Sequence, residues 1–586
     1  MTLKVNDILI QLKAAQGKVP VDLLITNVKI VNVYTEQTTE GSIAIKNGKI
    51  VAVNPQQELT AENIYDAKGQ YAIPGLMDAH VHIEPTLLTP EALASLIVPH
   101  GTTTMFVDAM EIANVAGVDG LKALLSSNDR LPYRIYLEVP SRVPTAPGLE
   151  TTGGVLGLAE VEELLQEEVA VSLGELDPSK VLNLKEEYLQ KVLCAQKHGK
   201  VANGHAIGLT WDELNVYTTA GLNDDHECVE YQELLDRVAL GITVMIREGS
   251  TERNLQKLIK GVVDNKLNTE HLIFCTDDKH ANDISKEGHI NYNVNKAISL
   301  GLSPIKAIKI ATLNCARHFR MDHLLGSITP GRLADIILTK ELENVQPSAV
   351  FKDGSLVSES GKLLQNVPLD SYPEFLNNTV KLSPDFNSKS LAVPYEGTEC
   401  KVKTINIYTD QIINYGTDET LPVQENCVVP DPQRDILKLA VVERYGKNGG
   451  VGVAFVKGFG LKKGALAISV SHDHHNIVTV GCNDQDMYMA AKEIEKHGGG
   501  LVVANEGQVV DAFPLPIAGL MSNLSAEEVL TIIERLNSRA KALGCKLPAP
   551  FMTLSFISLP TVPELGLTDK GLIDVRQHKV IPLLVE

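Results

Sequence analysis

Cysteine is scarce and unpaired in this chain: eight in 586 residues (Cys194, Cys228, Cys275, Cys315, Cys400, Cys427, Cys482, Cys545), scattered singly, with no CxxC pair. That excludes a disulfide scaffold and is the pattern expected of reduced, cytoplasmic thiols. Long apolar runs are missing too. None approaches the roughly 18 to 20 residues that span a bilayer, and the segment MTLKVNDILIQLKAAQGKVP interrupts its apolar residues with Asn6, Asp7, Gln11 and Lys13, so it lacks the core of a secretory signal. Positive charge is in deficit, with 53 Lys and Arg against 73 Asp and Glu and a formal net charge of -20. Nucleic acid and anionic membrane surfaces are therefore excluded as general partners. Neither a repeat of fixed period nor a low-complexity tract occurs.

What is present is ordinary globular composition: 44% hydrophobic and 22% charged residues. At about 150 residues per domain, the length leads to an expectation of three to four domains. Residues 22–75 alternate short apolar strands with turn signals, including Asn47-Gly48 between SIAIK and KIVAV, and read as a small antiparallel β unit. From about 76 the texture becomes apolar β-runs separated by helix-like segments: GTTTMFVDAM, YRIYLEVPS, AVSLGEL, KVANGHA, GITVMIREGS and HLIFCTDD. About eight such runs over some 240 residues match a (β/α)8 barrel of parallel strands. After it, GSITPGRLADIIL and AVFKDGSLV return to the short-strand texture.

The expected architecture is thus α/β: a barrel over 76–324 inserted in a split β domain (1–75 and 325–375), with a C-terminal α/β domain over 380–586. The stretch LDSYPEFLNNTVKLSPDFNSKSLAVP reads as a linker, and SAEEVLTIIERLNSRAKAL as a helix at about 525–543.

Asp78-Ala79-His80-Val81-His82 falls where the first barrel strand should run. Residues i and i+2 of a strand share a face, so both imidazoles could enter the lumen and hold one metal. Alone, HxH is weak, and two surface or hydrogen-bonded histidines read equally well. Polar residues of ligand type recur at the ends of later runs: Glu175 in SLGEL, His205 in NGHA, His226 in DDHE and Asp277 in FCTDD. Each has an ordinary reading as a helix-start carboxylate, a satisfied core or loop histidine, or a cap. Together they are better explained by convergence, because the carboxyl ends of barrel strands meet at one mouth. Imidazoles mixed with carboxylates suit a pair of divalent first-row metals sharing one carboxylate.

At this point the sequence resembles a family. GLMDAHVHIEP, GELDPSKV, GHAIGL, DDHECV, MIREGS and FCTDDKH, preceded by ITNVKIVNVYT and followed by GSITPGRLADI, are similar to the amidohydrolase superfamily and within it to the bacterial and archaeal adenine deaminases. KGFGLKKGALAISVSHDHHNIVTVG and PLPIAGLMS resemble that family's C-terminal domain, so the likeness covers nearly the whole chain. Glu175, where many relatives carry a carbamylated lysine, together with that C-terminal domain marks the subgroup.

The resemblance implies a metal-dependent hydrolase that converts adenine to hypoxanthine and ammonia in purine salvage, a cytoplasmic homodimer. It implies His80, His82, Glu175, His205, His226 and Asp277 as ligands of a binuclear centre, Mn or Fe before Zn, with Glu175 bridging. Asp277 is expected to carry the proton as well. It is preferred to Asp278, the other catalytic candidate, because it comes first after the apolar strand. Glu248, closing MIREGS, is expected as a second acid or ring-recognition residue, with a salt bridge to Arg247 or another cation as the alternative. Three positions depart from the family pattern without touching a ligand: Ile207, Ala281 and His474.

His472, Asp473, His475 and Asn476 in SHDHHN are expected to bind substrate, either as a second metal site or as a lid over the barrel mouth; a solvated loop is the plain alternative. A cyclic-amide hydrolase or an amino-sugar deacetylase is the runner-up, because the ligands fix the nucleophile and leave the substrate open. The absence of PCxxC argues against the small zinc deaminases despite the HxE at His82-Ile83-Glu84. GFGLKKG misses the dinucleotide fingerprint by one position, and a barrel retained as a non-catalytic scaffold would not keep all six candidates.

Overall fold

The computed structural model describes residues 5–365, 367–369, 371–408, 414–561 and 564–585. Among them, no helix is long and apolar enough to cross a membrane. A nine-stranded sheet forms first from Val21–Asn32, Gln37–Lys46, Lys49–Val53, Ala61–Asp66 and Tyr71–Pro74. It is completed about 260 residues later by Ile336–Thr339 and the strands after it, Ile337 lying opposite Ile73. Asn47 and Gly48 turn the second hairpin at φ 51 and 72, the conformation that Asn-Gly tolerates best.

Between those halves run eight strands: β1 (Leu76–Val81), β2 (Thr102–Asp108), β3 (Arg134–Val139), β4 (Ala170–Leu176), β5 (Val201–Gly204), β6 (Asp224–Asp225), β7 (Thr243–Arg247) and β8 (Leu272–Cys275). Neighbours pair in parallel from β1 to β5 and from β6 to β8. The ring closes at two seams. Asn223 N–H donates to the Ala202 carbonyl between β5 and β6, while Asp277 N–H donates to the His80 carbonyl between β8 and β1. β1, β2 and β4 are buried along their whole length, as strands covered on both faces must be. The outer helices turn one apolar stripe inward, for example Leu255, Leu258, Ile259 and Val262 of the helix Leu255–Asn265. Burying each such side chain contributes about 1.5–3 kcal/mol.

A second nine-stranded sheet, from Glu399–Ile407 to Gln508–Pro514, forms the C-terminal part, with the helices Asp484–His497 and Ala526–Ala542. The latter starts at Ser525, whose hydroxyl and the Glu528 carboxylate form a capping box. The stretch expected as a linker is packed rather than free: Leu376 and Leu391 are fully buried, and Ala518 N–H donates to the Leu376 carbonyl. Asp370 of that stretch lies outside the described residues. The sheet is tied to the barrel mouth by Asn476 Nδ2 donating to the Thr151 carbonyl, by Thr151 Oγ1 donating to Asp569, and by Ser522 N–H donating to the Leu87 carbonyl.

Candidate metal centre and active site

β1 carries His80, and His82 follows directly after it, their rings 5.1 Å apart and nearly perpendicular. Each imidazole is oriented through its Nδ1. His80 pairs with Glu138 Oε2 of β3 at 2.6 Å, and that carboxylate is held in turn by Asn203 Nδ2. His82 meets the Asp108 carbonyl at the end of β2 at 2.7 Å. A histidine whose outer nitrogen is tied to a carboxylate or carbonyl presents a fixed Nε2 as ligand. His80 Nε2 has no hydrogen-bond partner among the described residues although the residue is fully buried, an arrangement costly without a cation.

Glu175, next to last in β4, lies at the centre of the group. Its Oε2 lies 3.0 Å from His226 Nε2, 3.2 Å from His205 Nδ1 and 3.6 Å from His80 Nε2, while Oε1 receives Arg142. Gly174 makes this possible, because a Cβ there would sit 2.2 Å from Asp108 Oδ2, which accepts from Glu175 N–H. Asp277 Oδ1 is 3.7 Å from His80 Nε2 and 3.5 Å from His82 Nε2, and its Oδ2 takes Arg247 at 2.7 Å. Asp277 and Asp473 both adopt left-handed backbone, φ 58 and 70, a conformation that costs energy off glycine and gathers at functional sites.

Electrostatics mark the cluster as one built around positive charge. Burial pushes Glu175 up, but Arg142 and His205 outweigh it and hold the carboxyl well below its usual range. Burial opposes charge on His226, yet its contacts with Glu175 and Glu227 raise it well above an ordinary imidazole. Imidazole nitrogens and carboxylate oxygens converge in overlapping trios: His80, His82 and Asp277; His80, Glu175 and His226; His205, His226 and Glu227. Such mixed donors fit divalent first-row ions better than Mg or Ca.

All six ligand candidates therefore come together, from the ends of β1, β4, β5 and β8 and the turn after β6. Of the adjacent aspartates, Asp277 faces the imidazoles. Asp278 joins Glu111 and His472 on the other side of the pocket, its carboxyl pushed up to about 6 by burial.

Glu248 departs from its expected place. It is fully buried outside the pocket, with Oε1 bound to Lys296 at 2.6 Å and Oε2 accepting from Leu255 N–H. Successive side chains at a strand end point to opposite faces. Arg247 takes the inward position and bonds both Glu227 and Asp277, whereas Glu248 turns outward; the cation it finds is Lys296.

SHDHHN divides similarly. His472 and Asp473 line the pocket, and His472 stacks on Phe556 at 4.2 Å. His475 and Asn476 do not reach it: His475 Nδ1 meets Asn114 Nδ2, and Asn476 bonds Thr151 and Arg444. His474, one of the departures, is buried against Ser558. The plain alternative of a solvated loop fails as well, since 472–476 are all buried.

Sequence reasoning missed Glu111, Glu138, Arg142, Glu227, Arg247 and Phe556 as parts of the site. Two of these carried a signal. Glu138 is next to last in the run YRIYLEV, as Glu175 is in AVSLGEL, and Glu227 follows His226 directly, so the strand-end rule applied to every run would have found both. Arg142 and Phe556 carried none.

Two family models match the chain: the amidohydrolase family over residues 71–357 and the adenine deaminase C-terminal domain over 411–579. An adenine deaminase of Desulforamulus reducens is 63% identical over 98% of each chain. One from Dehalococcoides mccartyi is 39% identical over 97% of this chain and 98% of its own. A solved adenosine deaminase from Xanthomonas campestris with bound zinc is 16% identical, covering 59% of this chain and 95% of that one, at a TM-score of 0.45. That last likeness is too distant to carry an argument. The full-length identities do carry one, and they agree with a barrel mouth that gathers four imidazoles and their carboxylates beneath a C-terminal domain: the chain belongs to the adenine deaminase family of amidohydrolases.

Proposed function

We propose that this protein hydrolyses adenine to hypoxanthine and ammonia at a binuclear divalent centre, Mn or Fe before Zn, held by His80, His82, Glu175, His205, His226 and Asp277. The observation that carries the reading is identity to adenine deaminases over nearly the full length, 63% in one case. Residues 76–324 are taken as the catalytic barrel, 1–75 with 325–375 as the split β domain, and 380–586 as the C-terminal domain.

Adenine C6 is an electron-rich aromatic carbon that neutral water attacks poorly. Divalent ions, when bound, bring a water's pKa down toward neutrality. The chain supplies the rest. Glu138 and the Asp108 carbonyl fix His80 and His82, and Glu175 places one shared negative charge among His80, His205 and His226. Asp277, with Oδ1 toward the centre and Oδ2 steadied by Arg247, takes the proton of the attacking water and returns it to nitrogen as the amine departs. His472, Asp473, Phe556, Leu559 and Thr561 close the pocket from the C-terminal domain and exclude water.

The test is ammonia release from a panel of purines, cyclic amides and acetylated amino sugars. Adenine should be the fastest substrate, and adenosine poor, because the covering segment leaves little room for a ribose at N9. Faster hydrolysis of dihydroorotate, a hydantoin or an acetylated amino sugar would replace this reading with the runner-up. A His472→Ala, Asp473→Ala double variant should lose roughly a hundredfold in adenine turnover, the scale of one positioned polar group at the reacting centre, while retaining its metals. Wild-type kinetics in the folded double variant would confine the chemistry to barrel residues.

A further inference from the structure

A second, separate metal-ligand cluster lies on the outside of the barrel. The helix Leu158–Leu165 precedes β4 and carries Glu162, and the helix Glu186–Lys197 follows β4 and carries Cys194. His198 is the residue at which the second helix ends, its N–H donating to the Cys194 carbonyl. Residues four apart share a helix face, so thiol and imidazole point the same way, toward Glu162 on the neighbouring helix. One ligand atom from each of the three lies within 4.8 Å of the others. From this trio we infer that Glu162, Cys194 and His198 form a binding site for a thiophilic divalent cation of the zinc and cadmium class, distinct from the catalytic centre.

Two observations beyond proximity support it. Cys194 is 8% exposed, and its thiol has no hydrogen-bond partner among the described residues. His198 Nε2 is shielded from solvent and also has none. The competing contact is weak: Lys197 Nζ reaches Glu162 Oε1 at 3.2 Å, but the two side chains are 72% and 41% exposed, and such surface pairs contribute little. Thiolate, imidazole and carboxylate suit zinc, with a fourth position left to water. Zinc bonds of about 2.0–2.3 Å place tetrahedral ligands roughly 3.5 Å apart, so atoms within 4.8 Å of one another need close by no more than about an ångström, within reach of rotamer adjustment. Burial holds the Cys194 thiol above its usual range. The ion must displace that proton, and binding therefore tightens as pH rises.

The catalytic centre contains no sulfur, which gives the outer site a signature of its own. Cadmium added to the metal-loaded enzyme should produce an ultraviolet thiolate-to-metal charge-transfer band that saturates at one ion per chain. Cys194→Ser should abolish the band and leave adenine turnover in the absence of cadmium unchanged. His198→Gln and Glu162→Gln, both at partly exposed positions on the outer helices, should each weaken cadmium binding by at least about tenfold. A missing band in the wild type overturns the inference, as does an undiminished band in Cys194→Ser or wild-type affinity in both glutamine variants.

Discussion

Asp277→Asn should lower the turnover of adenine by about three to four orders of magnitude, at the upper end of what one acid-base group contributes. The amide has the same shape and can still accept from Arg247 Nη1, which also retains Glu227 at 2.7 Å. It cannot carry a proton, and it removes the negative charge 3.5 Å from His82 Nε2 and 3.7 Å from His80 Nε2. The rate should therefore fall in kcat while the protein stays folded. Steady-state kinetics paired with metal analysis check this; a folded variant within about tenfold of wild type would remove Asp277 from the proton-transfer role. The equivalent Asp278→Asn change should cost less, since that carboxyl faces Glu111 and His472 rather than the imidazole cluster.

Glu175→Gln should be the most damaging change of all, emptying the centre and abolishing turnover together. One oxygen of Glu175 serves three imidazoles within 3.6 Å, and the other receives Arg142. The amide takes away the negative charge that Glu175 places among His80, His205 and His226. Arg142 would then lose its hydrogen-bonded carboxylate and keep only more distant ones, Asp473 at 4.0 Å with Asp177 and Asp108, and leaving a buried charge without its partner costs about 3–5 kcal/mol. Metal analysis should give fewer than two ions per chain, with a lowered melting temperature. Two ions bound at wild-type affinity and an unchanged rate would move the bridge to another residue.

The two experiments separate the roles of adjacent strand ends, and they show how far local pattern reaches. Alternating apolar runs and turn residues made the barrel and the split sheet legible, because strand and helix periods and the Asn47-Gly48 turn are properties of neighbouring residues. The convergence of the candidate ligands was legible for a related reason: in a barrel every strand's carboxyl end leads to the same mouth, so a polar residue closing an apolar run is already placed. The same rule misled at Glu248, where the inward position belongs to Arg247 one residue earlier and the carboxylate goes to Lys296. A shift of one residue reverses the face, and composition does not reveal which of two polar neighbours is turned inward.

The sequence by itself determined the fold class, the strand-end histidines and carboxylates, and the family, each of which rests on short-range order. Only the tertiary structure decided what holds those groups in place. His80 depends on Glu138, 58 residues away, and the SHDHHN segment meets the barrel through His475 and Asn114, 361 residues apart. It also divided that segment into His472 and Asp473 in the pocket and His475 and Asn476 behind it, and it packed Phe556 onto His472. The physical reason is that hydrogen bonds and stacking act over a few ångströms of space, whereas the signals readable along a chain act over a few residues. Where contact joins segments hundreds of residues apart, only the folded backbone determines which side chains meet.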